Sequence, residues 1–283
     1  MNQMKIIEPQ LIFKQLKIEP NKNLGQNFIV DKNITKKIID LSKPSQNDVV
    51  LEIGSGLGSL TQELINLVKK LYAVEIDHRL YKYLDNEFSI YDNIEVIRGD
   101  ILKIDLPKHN KVISNIPYTI TGLILEKIFF RLNPPIGVLT IEKSIADRIF
   151  LTLTYKKFSR ISISVNAFMK PVLKSPIPRK SFWPIPKIDL SLIKLIPIEE
   201  LNAFFLENEA IKSFLKFIAG IMPYKNRNIA NAIELFFKNH TDIQYSKDDI
   251  LLILRKNSFE NRKVFTFEID DYIEICKLFY SKS

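Results

Sequence analysis

The stretch Asp48-Val49-Val50-Leu51-Glu52-Ile53-Gly54-Ser55-Gly56-Leu57-Gly58 decides the fold. Up to Ile53 it is mostly apolar and rich in β-branched residues, the pattern of a parallel strand buried on both faces. Glycines follow without a break. Ser59 and Gln62 then form a capping box for a helix whose apolar face is Leu60, Leu64, Leu67 and Val68. Strand, glycine loop and helix are the nucleotide-binding start of a doubly wound α/β sheet. The glycines stand as G-x-G-x-G, whereas the dinucleotide fingerprint wants its third glycine one residue later, where Ser59 stands. That spacing counts against NAD. It suits a ligand with a small zwitterionic end, its carboxylate facing the helix N-terminus.

Working outward, Leu71-Tyr72-Ala73-Val74 is the second strand, and it ends in Glu75-Ile76-Asp77. Glu75 lies 21 residues beyond Gly54, the distance at which a strand-tip carboxylate meets a ribose diol. The bland alternative is a cap for the following helix, which runs through Leu80, Tyr83 and Leu84. Ile94-Glu95-Val96-Ile97 is the third strand, and Asp100 behind it can accept from an adenine amino group in the same crevice.

A fourth strand, Val112-Ile113-Ser114, delivers Asn115-Ile116-Pro117-Tyr118 to the same edge of the sheet. An exocyclic amine donates hydrogens, so a site that grips one needs acceptors. The Asn115 side-chain oxygen and the Ile116 or Pro117 carbonyl supply two. Pro117 fixes its own φ and keeps Ile116 out of helical geometry, which holds those acceptors in place, and Tyr118 can stack on the base. Asn-x-Pro is also ordinary turn chemistry.

The chain has 283 residues, 46% of them apolar, enough for a full α/β domain and a smaller second one. Nothing near Met1 resembles a signal peptide, and no run approaches the roughly 18 consecutive apolar residues of a membrane span. The single cysteine, Cys276, excludes an internal disulfide and any cysteine-rich metal site. An intracellular, cytoplasmic protein is the expectation. His78, His109 and His240 are scattered without ligand partners, so no metal is expected.

Charge is distributed unevenly. The net charge is +9, yet residues 197–283 hold 12 Lys+Arg against 13 Asp+Glu. Between Phe150 and Ile196 there are nine basic residues (Lys156, Lys157, Arg160, Lys170, Lys174, Arg179, Lys180, Lys187, Lys194) and one acidic residue, Asp189. Tyr155, Phe158, Phe168, Phe182 and Trp183 are interleaved with them, which fits a surface that tracks a phosphate backbone better than a merely solvated face. Residues 1–23, with Pro9 and Pro20, read as an arm laid across the domain, interrupted by Asn23-Leu24-Gly25-Gln26-Asn27-Phe28. Asp31 caps a helix carrying Ile34, Ile38 and Ile39. After Pro197 the pattern is helical alone, over Ala210 to Ile221, Ile229 to Phe237, Asp248 to Leu254 and Ile269 to Phe279.

Leu24-Gly25-Gln26-Asn27-Phe28, Glu52-Ile53-Gly54-Ser55-Gly56, Val74-Glu75-Ile76-Asp77, Gly99-Asp100-Ile101 and Asn115-Ile116-Pro117-Tyr118 occur in an order and spacing that resemble the ribosomal RNA adenine N6-dimethyltransferases. Phe182-Trp183-Pro184-Ile185-Pro186-Lys187-Ile188-Asp189 is similar to that family's aromatic-x-Pro-x-Pro-Lys-Val-Asp element. The resemblance covers residues 23–196 well and the tail loosely. It implies a Rossmann-like class I methyltransferase domain over 1–196 that binds S-adenosyl-L-methionine, and a helical domain over 197–283 that binds or supports RNA. It further implies that the cofactor meets Asn27, Ile29, Gly54, Glu75, Asp100 and Asn115. Asn115, Ile116, Pro117 and Tyr118 would hold the target adenine, with Phe182 stacked on its other face.

Small-subunit ribosomal RNA on an assembly intermediate is the implied substrate, modified by a monomer, and the tail leans toward the archaeal and eukaryotic branch. Two other readings share the motifs: a large-subunit methyltransferase of the macrolide-resistance type, and a non-catalytic ribosome-assembly or transcription factor. The intact Glu75, Asp100, Asn115 and Tyr118 argue against the last. Thr119 and Gly122 depart from the family pattern, which puts positioning of the substrate in doubt more than the cofactor.

Overall fold

The computed structural model describes residues 8–150, 158–241, 243 and 245–280. Residues up to Ile128, with Pro134–Ala146 and Lys170–Pro197, make one compact unit. Phe129–Asn133, Asp147–Met169 and the chain from Ile198 onward make a second.

The first unit is built on seven strands. In chain order they are β2 (Val49–Ile53), β3 (Lys70–Glu75), β4 (Ile94–Arg98), β5 (Lys111–Asn115), β6 (Ile136–Glu142), β7 (Met169–Ile177) and β9 (Leu190–Pro197), and they lie side by side as β4-β3-β2-β5-β6-β9-β7. Strands β4 through β6 are parallel, and β9 runs antiparallel to β6 with Leu139 opposite Ile193. The chain builds outward from β2 in one direction and then restarts at β5 in the other. The switch point between β2 and β5 is where open α/β sheets bind ligands, and both the Gly54 loop and the Asn115 loop emerge there.

Buried side chains explain the sheet. Val50, Leu71, Ile113 and Val138 share one cluster with Ile34 and Ile38 of α2 (Lys32–Ser42) and with Leu60, Leu64 and Val68 behind the glycine loop. Asp31 caps α2 as the sequence predicts, its side chain accepting from the Asn33 amide at 3.0 Å. The predicted capping box does not form. The helix after the loop, α3 (Thr61–Leu64), is a single turn without a side-chain cap, and the Ser59 hydroxyl instead donates to the Ile29 carbonyl at 2.9 Å. Ser59 thereby ties the loop to a two-strand ribbon of β1 (Phe28–Ile29) and β8 (Phe182–Trp183). The arm also differs from expectation, because Pro9–Leu16 is a helix, α1, with Pro9 in its first turn and Phe13 buried.

The second unit contains α7 (Arg160–Asn166), α8 (Ala210–Ile221), α9 (Ile229–His240), α10 (Lys247–Lys256) and α11 (Ile269–Tyr280). It takes in residues upstream of Pro197 because Phe168 stacks on Phe130 at 5.5 Å and on Phe205 at 4.7 Å, within this helical core. Among the described residues, no helix is long and apolar enough to cross a membrane, and no group of side chains could hold a metal ion.

Candidate active site

The glycine loop, the end of β3, the residues before β1 and the loop after β5 line a cavity at the switch point. Asn27, Ile29, Gly54, Glu75, Asn115, Ile116, Pro117 and Tyr118 all line it. Eight of the residues singled out by sequence therefore meet in one place.

Local chemistry sets each of them. Gly56 has φ +60, and a Cβ there would stand 2.9 Å from the Phe28 ring. Only glycine lets β1 lie this close to the loop. The Gly56 amide donates to Glu75 Oε2 at 2.9 Å and the Asp77 amide to Oε1 at 2.8 Å. Glu75 is 4% exposed, and burial pushes its carboxyl above the usual range although those two amides oppose it. A carboxylate has about four acceptor sites, so each Glu75 oxygen retains capacity for a further donor. Asp77, not Glu75, caps α4 (His78–Phe88), accepting from the Arg79 amide at 3.0 Å. The Arg79 side chain on it holds its carboxyl down at about 2.

Asn115 faces two ways. Its Nδ2 donates to the Asn27 carbonyl at 2.9 Å, while its Oδ1 is buried without a hydrogen bond of good geometry. The buried Tyr118 hydroxyl is in the same condition. Burial drives the Tyr118 phenol up, with the neighbouring Asn115 amide partly offsetting it. Buried polar atoms are ordinarily satisfied; both residues line the cavity, where their side-chain contact with each other and a polar ligand together can satisfy these two. Of the two candidate carbonyls, that of Pro117 already accepts from the Ile120 amide at 3.4 Å and lies 3.3 Å from the Thr121 hydroxyl, which is shared with the Tyr118 carbonyl at 3.1 Å. Ile116 is left as the backbone acceptor.

Three sequence expectations are not reproduced here. Asp100 does not line the cavity, because β4 is the outermost strand; its Oδ1 accepts from the Leu102 amide at 2.9 Å and closes its own turn. Phe182 is 1% exposed and packed in the sheet's core cluster, against which Tyr118 also packs, so it offers no open face to a base. Strand alternation is the reason: in β8, Phe182 points inward and Trp183 outward. The interleaved aromatics Phe158 and Phe168 are likewise buried, in the helical unit.

The basic run is also divided. Arg160 belongs to the helical unit and Lys170 through Lys194 to the sheet unit, while Tyr155, Lys156 and Lys157 lie outside the described residues. Lys194 Nζ is spent on the Leu41 carbonyl at 3.0 Å, and Arg179 lies 3.6 Å from Asp189.

Sequence reasoning passed over Glu52. It lines the cavity, is fully buried, accepts from the Thr61 hydroxyl at 2.7 Å, and is pushed up to about 8 by that burial. An acid inside an otherwise apolar strand is the signal that identifies it. Gln26 was visible only as an odd polar residue. Its side chain bonds the arm to Asp77 at 3.0 Å and accepts from the Asn21 amide at 2.7 Å.

A second, open cleft of about 880 Å³ shares residues with this cavity. Gly25, Gln26, Asn27 and Tyr118 line both spaces, and Trp183 through Ile188 form the far wall of the cleft.

Comparison with known proteins fits this geometry. The sequence profile of the family described as ribosomal RNA adenine dimethylase matches residues 18–266. The probable ribosomal RNA small subunit methyltransferase A of Methanopyrus kandleri is 33% identical over 219 residues, 77% of each chain. The crystal structure of a dimethyladenosine transferase from Plasmodium falciparum superposes with a TM-score of 0.75 at 26% identity, over 90% of this chain and 98% of that one. The 23S rRNA methyltransferase ErmE gives 0.61 at 21% identity, over 89% and 98%, a likeness of fold alone.

Proposed function

The chain belongs to the ribosomal RNA adenine dimethylase family, and from that membership and the site we propose how it works. It is an S-adenosylmethionine-dependent enzyme that dimethylates the N6 amine of adenosines near the 3′ end of small-subunit ribosomal RNA, in small-subunit biogenesis. The paired unsatisfied acceptor and hydroxyl, Asn115 Oδ1 and Tyr118 Oη, carry the reading of the site.

The cavity suits the cofactor. Glu75 has acceptor capacity for a ribose diol, and the Gly54 loop admits close approach of an amino-acid end. Asn27 and Ile29 close the cavity from the arm side, and Asp100, outside the cavity lining but following Gly99, whose amide donates to the Glu75 carbonyl at 3.0 Å, is proposed to accept from an adenine that extends past Glu75. When bound, S-adenosylmethionine supplies an electrophilic methyl with its own leaving group.

The chain's work is then orientation. Asn115 Oδ1 and the Ile116 carbonyl accept from the target amine and turn its lone pair toward the methyl. Pro117 fixes the turn, and Tyr118 supports the base. Orientation of this kind lowers a barrier without a strong general base; the methylated nitrogen, cationic once the sulfide has left, then releases its proton to water. We further propose that residues 1–196 hold the catalytic domain, that the helical tail supports RNA recognition, and that the enzyme acts as a monomer on an assembly intermediate in the cytoplasm.

The test uses purified protein, methyl-labelled S-adenosylmethionine and separated ribosomal subunits lacking adenine dimethylation. Label in dimethyladenosine of the small-subunit RNA is expected. Label confined to large-subunit RNA would transfer the protein to the resistance type, and no label in either would leave it an assembly factor.

A further inference from the structure

The open cleft contains an aromatic ring that the reaction as described does not use. Trp183 is the outward residue of β8, and its indole is braced from behind by Phe13 at 5.4 Å and by Phe28 at 6.5 Å, the latter nearly parallel at 28°. It lines the cleft and not the cavity, so it is not placed to touch the cofactor. Tyr118 lines the same cleft at its junction with the cavity, and Lys14, Lys22 and Lys187 stand on the cleft wall.

Flipping an adenine into the cavity unstacks more than the adenine. The neighbouring nucleotide loses a stacking partner as well, and that exposed face is part of the energy of extrusion. A rigid ring placed just outside the cavity, already ordered by two other rings, recovers it at little cost in side-chain entropy. We propose that Trp183 is the platform on which the nucleotide adjoining the target adenine stacks, with the cleft lysines meeting the flanking phosphates. The proposal rests on the RNA-methylating function above and assigns to Trp183 the positioning role that sequence pattern suggested for Phe182.

Trp183 is the sole tryptophan of the chain, so intrinsic fluorescence reads this one site. The protein is titrated with a short RNA carrying the small-subunit target adenosines, intact or with one abasic nucleotide moved along it. Intact RNA is expected to quench the emission, and an abasic nucleotide directly beside the target to abolish the quenching. S-adenosylmethionine alone should leave it unchanged.

In parallel, Trp183→Ala should lower kcat/KM for methylation of undimethylated small subunits about 10- to 100-fold, with Trp183→Phe recovering most of it and cofactor affinity unaltered. Quenching lost only when the target itself is abasic, or a fall in cofactor affinity equal to the fall in kcat/KM, would overturn the platform. So would RNA that is methylated without quenching, while leaving the function intact. A wild-type protein that methylates neither subunit fails the function instead.

Discussion

Asn115→Ala removes two interactions that the structure separates. On the nitrogen side, the 2.9 Å hydrogen bond to the Asn27 carbonyl holds the arm over the cavity. A neutral bond of this kind is worth about 0.5–1.5 kcal/mol, so the cofactor should bind at most about tenfold more weakly. On the oxygen side, the buried Oδ1 is proposed to bind the amine only when it is aligned for attack. Loss of one preorganised group of that sort typically costs about 10²–10³ in kcat. The two parts come apart in Asn115→Asp, which when ionised keeps its acceptors and sets a carboxylate oxygen against the Asn27 carbonyl in place of the donor: cofactor affinity should fall at least as far as in the alanine variant while more of kcat survives. Calorimetry with S-adenosylhomocysteine and single-turnover methylation of small subunits measure the two quantities independently. If Asn115→Ala lost only affinity, or Asn115→Asp were as slow as alanine, the Oδ1 role would be wrong.

Other substitutions test neighbouring steps. Gly56→Ala places a Cβ 2.9 Å from Phe28 at φ +60, whereas Gly25→Ala at φ +63 meets nothing within 4 Å. Both should show a strain of about 1–2 kcal/mol in denaturant melts, but only Gly56→Ala should also lose cofactor affinity. Glu52 has a folded value of about 8 against an ordinary 4.5, so its contribution to stability is complete below the ordinary value and is lost as pH rises through the folded one. Glu52→Gln should flatten that decline, which is at most about 1.4 kcal/mol per pH unit, in melts between about pH 5 and pH 9; an unchanged slope would exclude Glu52 as its source. Phe182→Ala should destabilise the fold by roughly 3–5 kcal/mol, as for other buried aromatics, and a variant that melted normally would contradict its core placement. Neutralising Lys14, Lys22 and Lys187 should reduce the salt slope of RNA binding by about 0.7–0.9 for each phosphate no longer neutralised.

Legibility in the sequence followed the range of each interaction. β2 and the glycine loop were readable because hydrophobic runs and positive-φ glycines are local properties, and the four tail helices were readable from their own periodicity. Glu75, Asn115 and Tyr118 could be placed together because every parallel strand delivers its last residue to the same edge. What failed depended on partners distant in sequence. Ser59 caps no helix; its hydroxyl is instead turned to donate to the Ile29 carbonyl, 30 residues away. Phe182 and Trp183 are equivalent as letters; only the pairing of Phe28 with Trp183 and Ile29 with Phe182 decides which ring enters the core. The basic run looked continuous because charge counting ignores that its two parts belong to different units.

Methylating one amine twice imposes a constraint that this site meets in an economical way. An unmodified amine has two hydrogens, and the proposed grip has two acceptors, Asn115 Oδ1 and the Ile116 carbonyl. After one transfer a single hydrogen remains, so one acceptor must be left vacant while the other still aligns the nitrogen. A vacant buried acceptor is costly where nothing else can satisfy it. Gly25, Gln26, Asn27 and Tyr118 form a wall common to the cavity and the open cleft, and in the proposed mode water entering from the cleft side would satisfy the acceptor that the methyl displaces. That wall stays in place through the Gln26 bond to Asp77 and the Asn115 bond to Asn27. The amide whose oxygen is proposed to face the amine thus fixes, with its nitrogen, the wall between the cavity and the cleft. Closing the arm and presenting the acceptor are consequences of one side-chain orientation.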